Sequence, residues 1–486
     1  MRGLKAAIGA CVLTIACGAC TAILGDFSNG GGDGGTGPGL PDGTMPASEA
    51  GASTDSTTSG HDGASTGDDS TSSDDGGEDA GPSFAADASC EGGPCVVNVA
   101  ANGDHTCALM ADQTIRCWGD NQYGETLWNG ATGANAFVPT PTTVPGIDGG
   151  PLGPVRTVRL GDRFTCALLV DGSVWCWGDN AFDQIGVPDA GLAGGATSPV
   201  PPTPVFPPGS VSIVYAGAYH ACAMLNSDAG AGPGPIVCWG RNTWGEVGVV
   251  DAAVVAPPVP APFTSFERMT LGAFMTCAVR SAAPFGECIG YNLYGQLGRG
   301  IPADAGPDGS GATDNLPHPT PAGVAIGNLG SYDNFPHATG YHYGTTFTDG
   351  TIALWGDNNW GQLGPQVDAG FSPTPTLVTA ISDVTALGLL QYSTCVLRSD
   401  GTVWCWGYPA FGQSGNATTD AGLTPQPVPT QVTGITTATG ISTGLNHACA
   451  LLANGTIACW GDNVDGQLGR STGGATFSPT PGLVQF

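Results

Sequence analysis

One segment pattern returns seven times between residue 105 and the C-terminus, and no other feature constrains the fold as tightly. The clearest copies read HTCALMADQTIRCWGDNQYGETL at 105–127 and HACALLANGTIACWGDNVDGQLG at 447–469. Between them stand FTCALLVDGSVWCWGDNAFDQIG (164–186), HACAML…IVCWGRNTWGEVG (220–248), MTCAVR…GECIGYNLYGQLG (275–298), HYGTTFTDGTIALWGDNNWGQLG (342–364) and STCVLRSDGTVWCWGYPAFGQSG (393–415). The tryptophan position falls at Trp118, Trp177, Trp239, Ile289, Trp355, Trp406 and Trp460, a period of 50 to 66 residues. A period of that size with strand-like content predicts propeller blades rather than helical solenoids.

Within the copies, apolar and small or polar residues alternate around Asp-Gly or Asn-Gly, a hairpin signal because glycine accepts φ > 0 at the turn. The composition agrees, since 80 of 486 residues are glycine and 39 proline, the two poorest helix formers. Proline-rich stretches separate the copies, at 139–141, 199–204, 257–262, 319–321, 373–375 and 425–429. Proline is tolerated in sheets chiefly on edge strands, so each stretch is expected to introduce an outer strand. The first copy has no such stretch before it, and the seventh is followed by one at 478–486. The expected fold is all-β: a seven-bladed β-propeller whose C-terminal strand completes the first blade, so that closure removes the exposed sheet edges.

The unit H-x-C-A-L … D-G-x-V-x-x-W-G-x-N-x-x-G-Q-L-G resembles the repeat of the regulator of chromosome condensation family, and the resemblance covers residues 96–486. It implies a seven-bladed propeller. The activity of the family's eukaryotic members, nucleotide exchange on a nuclear GTPase together with chromatin binding, is not expected to carry over. Members exported by bacteria include inhibitors that bind β-lactamases through loops on one propeller face, a closer precedent in setting.

Charge supports that separation. The net charge is -29, Lys5 is the sole lysine, and after Arg2 and Lys5 no basic residue appears until Arg116. Nucleic-acid binding needs a basic footprint to neutralise phosphates, and none is present. An anionic membrane surface repels such a chain for the same reason. The expected partner is a protein or a glycan, met by a monomer.

Residues 1–20 read as a lipoprotein-type signal peptide: a basic start, a short apolar run from Ala6 to Ala16, then small residues and cysteines. Cys20 is the expected lipidation site, with Cys17 the alternative register. Residues 21–89 are rich in Gly, Ser, Thr, Asp and Ala and cannot bury enough apolar surface to order themselves. They form a tether that spans about 45 Å as a flexible coil. Residues 90–486 form the propeller. The expected location is the bacterial cell envelope, with the membrane touched only through the lipid anchor.

The remaining cysteines fall in pairs: Cys107 with Cys117, Cys166 with Cys176, Cys222 with Cys238, Cys277 with Cys288, Cys395 with Cys405, and Cys449 with Cys459. Cys90 and Cys95, before the first copy, are expected to form a further small loop. Four pairs are ten residues apart and flank the hairpin turn. If the turn glycine forms a bulge, such residues face each other at about 4.5–5.5 Å between Cα atoms, within disulfide reach. The fifth copy has Gly344 and Leu354 at the two positions, and joint loss suits bonded partners. Zinc sites prefer four-ligand clusters with C-x₂₋₄-C spacing, so disulfides and an oxidising compartment are favoured over metal.

No catalytic constellation stands out, and neither cofactor nor metal is expected. His105, His220, His342 and His447 recur with the repeat and read as blade histidines, without a recurring acid and hydroxyl. The DGSVW and DGTVW turns are similar to the Asp-box of sialidases, a turn device that carries no chemistry by itself. Candidate binding residues stand five positions after the tryptophan site: Tyr123, Phe182, Trp244, Tyr294, Trp360 and Phe411, followed by Asp465. Six aromatics at equivalent points of a ring would lie at one level, either packed on the next blade or forming a rim for a partner. Trp128, in an insert, is a further candidate. The expectation is a surface-anchored binding or scaffolding propeller without catalysis; the alternatives are a secreted enzyme inhibitor and a lectin-like propeller.

Overall fold

The computed structural model describes residues 95–486 apart from 128–135, 147–148, 188–198, 228–233, 264–265, 267, 280–285, 301–316, 326–331, 335–339 and 417–423. The signal peptide, the tether, Cys17, Cys20, Cys90 and Trp128 lie outside the described residues, and so does the expected loop between Cys90 and Cys95.

Seven antiparallel sheets of four strands make up the chain, each continuous in sequence, with no helix among the described residues. In the first blade β1 (Val96–Asn102), β2 (His105–Met110), β3 (Ile115–Asp120) and β4 (Phe137–Thr143) pair in that order. The remaining blades span residues 155–206, 211–260, 268–323, 332–377, 384–431 and 438–483. Apart from the short Tyr332–Asn334 of the fifth blade, the first strands of successive blades touch, β1 meeting both Val155–Leu160 and Ala438–Thr443, so these strands line the axis and the proline strands form the rim. The seven-bladed propeller expected from the repeat is the fold.

The strand bookkeeping differs from expectation in one respect. The C-terminal strand Phe477–Leu483 pairs with Ile457–Asp462 of the seventh blade and does not complete the first. That place is taken by β4, which carries Pro139 and Pro141 and pairs with β3. Each proline stretch therefore closes the blade whose hairpin precedes it, and seven hairpins are matched by seven proline strands. The ring closes through contacts between the seventh and first blades, among them backbone bonds from Leu445 N–H to the Gly103 carbonyl at 2.9 Å and from Val96 N–H to the Gly455 carbonyl at 3.2 Å. Phe486 meets the buried Trp118 edge-to-face at 6.0 Å, and the Trp118 indole N–H donates to the Gln467 carbonyl at 2.9 Å.

That indole bond recurs around the ring. Trp177 donates to the carbonyl of Glu125, Trp239 to Gln184, Trp355 to Gln296, Trp406 to Gln362 and Trp460 to Gln413, all at 2.8–3.0 Å and each reaching the preceding blade. The fourth blade has Ile289 instead, and there the Thr276 hydroxyl donates to Glu246 O at 2.8 Å. Every one of these seven carbonyls is thus satisfied, where an unpaired buried group would cost about 1–3 kcal/mol. At the rim, Gly245, Gly295, Gly361, Gly412 and Gly466 each lie against a proline of the next blade. A Cβ on Gly466 would stand 2.8 Å from Pro139 Cα, so the seventh blade reaches the first here as well.

The hairpins carry the cysteines, and all six expected bridges are present. Cys107 is bonded to Cys117, Cys166 to Cys176, Cys222 to Cys238, Cys277 to Cys288, Cys395 to Cys405, and Cys449 to Cys459. Each pair occupies directly opposed register positions on the second and third strands of its blade. The Cα atoms of every pair stand 4.1 Å apart, closer than the range expected for residues facing each other across a hairpin. The intervening residues differ in number without changing this contact. Cys222 and Cys238 are 16 positions apart and Cys277 and Cys288 are 11 apart.

In the fifth blade Gly344 faces Leu354, and a Cβ on Gly344 would stand 2.4 Å from Leu354 Cδ2. Leucine fills the space of the missing bridge, and glycine is the partner that admits it. The turn that links these strands has an Asp or Asn that accepts from the Ser or Thr two residues on, as Asp171 does from Ser173 at 2.7 Å. Gly172, Gly350, Gly401 and Gly455 take positive φ there, and Gln113 does so in the first blade at 65°.

Candidate interaction face

The turn between the first and second strands and the loop between the third and fourth emerge at the same end of every blade. This face collects the candidate aromatics, because all of them sit in the third-to-fourth loop. The motif N-x-x-G-Q-L-G makes that loop rigid. The Asn121 side chain accepts from the N–H groups of Thr126 and Leu127, and Asn242, Asn292, Asn358 and Asn463 bind the equivalent N–H of their loops. Buried Glu125, Gln184, Glu246, Gln296, Gln362, Gln413 and Gln467 accept from the backbone N–H of Tyr123, Phe182, Trp244, Tyr294, Trp360, Phe411 and Asp465 at 2.7–2.9 Å. The carboxamide column of the repeat thus holds the aromatic column in place, two residues away.

The aromatics are half-buried, with Phe411 the most open at 36%. Each leans on its neighbours. Trp244 meets Tyr291 of the next blade at 4.4 Å and Trp360 meets Tyr408 of the next blade at 4.3 Å, with near-equal tilts of 49° and 56°. Phe182 meets Tyr219 edge-to-face at 5.8 Å, Tyr294 meets Tyr341 at 5.6 Å, and Phe411 meets Tyr408 at 6.1 Å. Phe182, Trp244, Tyr294 and Trp360 thus pack on the adjacent blade, as expected for the structural reading of this column, whereas Phe411 packs on Tyr408 of its own blade.

The partners of these rings belong to two columns that the repeat contains but sequence reasoning passed over. One stands immediately before the histidine position: Asp104, Arg163, Tyr219, Phe274, Tyr341 and Tyr392. The other stands two residues after the tryptophan: Asp120, Asp179, Arg241, Tyr291, Asp357, Tyr408 and Asp462. Their signal was the fixed offset from His and Trp, obscured by the mixture of acids, arginines and rings at one column.

That mixture divides the face. Between the second and fourth blades Arg241 is buried with its guanidinium 4.3 Å from the Tyr219 ring and 4.5 Å from Phe274. Its Nε–H donates to Glu246 Oε1 at 2.8 Å, so burial lifts the Glu246 pKa while the ion pair opposes that rise. Arg163 lies over Tyr123 at 4.9 Å and 3.8 Å from Asp162, whose carboxylate accepts from the Tyr219 hydroxyl at 2.8 Å. Where the seventh blade meets the first the face is acidic. Burial and the charges of Asp162, Asp462, Asp465 and Asp120 push the Asp104 carboxyl well above the usual range. Burial pushes Asp462 up to about 6.

The histidines lie one layer inward and serve the ring. His105, His220, His342 and His447 are fully buried, and each Nε2 bonds the threonine hydroxyl at the next position of the following blade, Thr165, Thr276, Thr394 and Thr106, at 2.7–3.0 Å. Among the described residues no grouping of three or more His, Cys, Asp or Glu is arranged to hold a metal ion.

Comparison with known proteins bears on this fold. A family model described as the regulator of chromosome condensation (RCC1) repeat matches residues 96–125, 155–184, 391–413 and 438–467, which cover the first three strands of the first, second and seventh blades and the second and third strands of the sixth, with the loop start that follows. The chain is 25% identical over 384 residues to the ultraviolet-B receptor UVR8 of Arabidopsis thaliana, covering 77% of this chain and 78% of that protein. It is 26% identical over 397 residues to the human E3 ubiquitin-protein ligase HERC2, of which it spans 7% of the length. Among solved structures, human WBSCR16 superposes with a TM-score of 0.61 at 21% identity, over 77% of this chain and 95% of that one. Prp20p of Saccharomyces cerevisiae superposes with a TM-score of 0.55 at 18% identity, over 72% of this chain and 80% of that one. The fold is shared with these propellers, and four of the seven repeats match the RCC1 repeat model.

Proposed function

We propose that the chain is a surface-anchored propeller that binds or scaffolds a protein partner through the face described above, without catalysis. One observation carries the reading: six successive blades place an aromatic side chain at the same loop position, each held by a buried Glu or Gln side chain. Large rings pre-set on a rigid scaffold are the residues that dominate interface energetics, since little side-chain entropy is lost when they are covered. Protein partners are named for a propeller of this shape, the Prp20p structure being described together with binding of that protein to Gsp1p and histones. Residues 1–89 supply the anchor and tether in this reading, with Cys20, or in the other register Cys17, carrying the lipid.

The test is a cross-linking capture with the full chain and two variants, Trp360→Ala and Phe411→Ser, folded as judged by their intact disulfides. Specific capture lost in both variants is the expected result. Capture indifferent to both overturns the assignment of this face. Labelling with an alkyne fatty acid checks the anchor: Cys20→Ser is expected to abolish incorporation, and retention of label in both Cys20→Ser and Cys17→Ser overturns it.

A further inference from the structure

The aromatic column ends at the seventh blade. Tyr123, Phe182, Trp244, Tyr294, Trp360 and Phe411 are followed by Asp465, and around that point the other two columns contribute Asp462, Asp104 and Asp120. Asp120 N–H donates to the Asp104 carbonyl at 2.9 Å, and Gln467 Nε2 of the seventh blade lies 3.5 Å from Asp104 Oδ1. Burial raises the proton affinity of Asp104 and Asp465, and the charges of Asp462, Asp465 and Asp120 add to it at Asp104, as that of Asp120 does at Asp465. The buried Glu125 adds to the seam: its Oε2 accepts from Tyr123 N–H, and its carboxyl meets that of Asp120. At the equivalent place in other blades Arg241 pairs with Glu246 at 2.8 Å, and Asp357 accepts from Gln362 at 2.9 Å. Here two carboxyls meet. The sixth blade, whose Gly412 lies against Pro479 of the seventh, holds Tyr408 and Phe411, with Trp360 of the fifth blade against Tyr408.

Elsewhere on the same face the chain itself shows what such a surface receives. Arg241 is seated between two rings and against a carboxylate, and Arg163 lies over Tyr123 beside Asp162. A guanidinium stacks on rings and meets carboxylates with a planar fork, whereas an ammonium is a compact, strongly hydrated point charge. With 41 acidic groups against 12 basic ones, a cation for this seam is best supplied by a partner.

We propose that this face binds an arginine-bearing, otherwise apolar polypeptide segment, its guanidinium groups against Asp462, Asp465 and Asp104 and its apolar side chains against Trp360, Tyr408 and Phe411. The inference rests on the binding reading given above and names the chemistry of its partner. Nucleic acids and anionic membranes are repelled by the same carboxylates.

A random dodecapeptide library panned on the full chain tests it, with fluorescence anisotropy of the enriched peptides as the readout. Enrichment of arginine over lysine among apolar residues is the expected result. Binding should weaken about tenfold in Asp462→Asn/Asp465→Asn, as for loss of close interfacial charge pairs. It should also weaken in Phe411→Ser, and it should fall with salt. Those two aspartate changes relieve repulsion, so the fold is retained. Peptides without arginine bias that lose binding in Phe411→Ser and Trp360→Ala but keep it in Asp462→Asn/Asp465→Asn overturn the cationic inference and leave the binding face standing. Peptides indifferent to Phe411→Ser and Trp360→Ala overturn both. Absence of any enriched peptide overturns the inference too.

Discussion

His447 Nε2 lies 2.8 Å from Thr106 Oγ1, two buried atoms that are 341 residues apart in the chain. The contact is the last of a series. Wherever a blade has His before its first cysteine position, the next blade has Thr one position on; where a blade has Phe164, Met275 or Ser393, the next has Ala221, Tyr343 or Ala448. The threonine hydroxyls of Thr165, Thr276 and Thr394 donate onward to backbone carbonyls at 2.8 Å, so in those pairs the histidine Nε2–H is the donor.

Removing one partner is therefore expected to cost more than removing both. Thr106→Val leaves the His447 N–H buried and unpaired, a loss of about 1–3 kcal/mol. The double change His447→Phe/Thr106→Ala installs the Phe164/Ala221 pair of the second blade and should recover most of it. Room exists, since Gly444 stands against the His447 ring as Gly161 does against Phe164. Urea unfolding of the three proteins checks the order.

Stability should fall in acid through the same histidines. Burial lowers His105, His342 and His447 to about 3 from an ordinary 6.5. Between those values the unfolded chain binds protons that the native state refuses, so each histidine removes up to about 1.4 kcal/mol per pH unit as pH drops. Carboxyls raised by burial, Asp104 and Asp462 among them, act in the opposite sense by taking up protons first in the native state. The variant His447→Phe/Thr106→Ala removes one histidine and no carboxyl. Its unfolding free energy should decline less steeply than that of the natural chain between pH 6.5 and 4.5; equal slopes would count against the burial argument.

The fifth blade should accept the bridge it lacks. Gly344 and Leu354 are register partners like the cysteines of the other six. Gly344→Cys/Leu354→Cys is expected to form a further disulfide, visible as the absence of new free thiols in mass spectrometry, with about 2–3 kcal/mol from chain constraint offsetting the lost leucine. Gly344→Ala alone drives a methyl into Leu354 and Leu387 and should cost about 1–3 kcal/mol in overpacking.

Arg241 offers a test of complementarity on the interaction face. Arg241→Met leaves buried Glu246 without its ion-pair partner, and a loss of about 3–5 kcal/mol is expected. Arg241→Asp/Glu246→Gln supplies the Asp/Gln pair used in the fifth blade, where Gln362 Nε2 donates to Asp357 at 2.9 Å. Thermal unfolding should rank the double variant above Arg241→Met.

Much of this architecture was present in the primary structure. The period and the hairpin signal specify seven two-stranded units, because side-chain alternation and turn chemistry are local properties. The His–Thr alternation was there too, yet its meaning needs a ring in which residue 106 follows residue 447. Proline marks a strand as an edge without saying which neighbour's edge it takes, so Ser478–Leu483 suited either the first blade or the seventh until backbone pairing chose. The interaction face lay equally out of reach. Trp360 and Tyr408 are 48 positions apart in the chain and 4.3 Å apart in space, and only the packing of one blade on the next converts columns of a repeat into a surface with an aromatic and an acidic side.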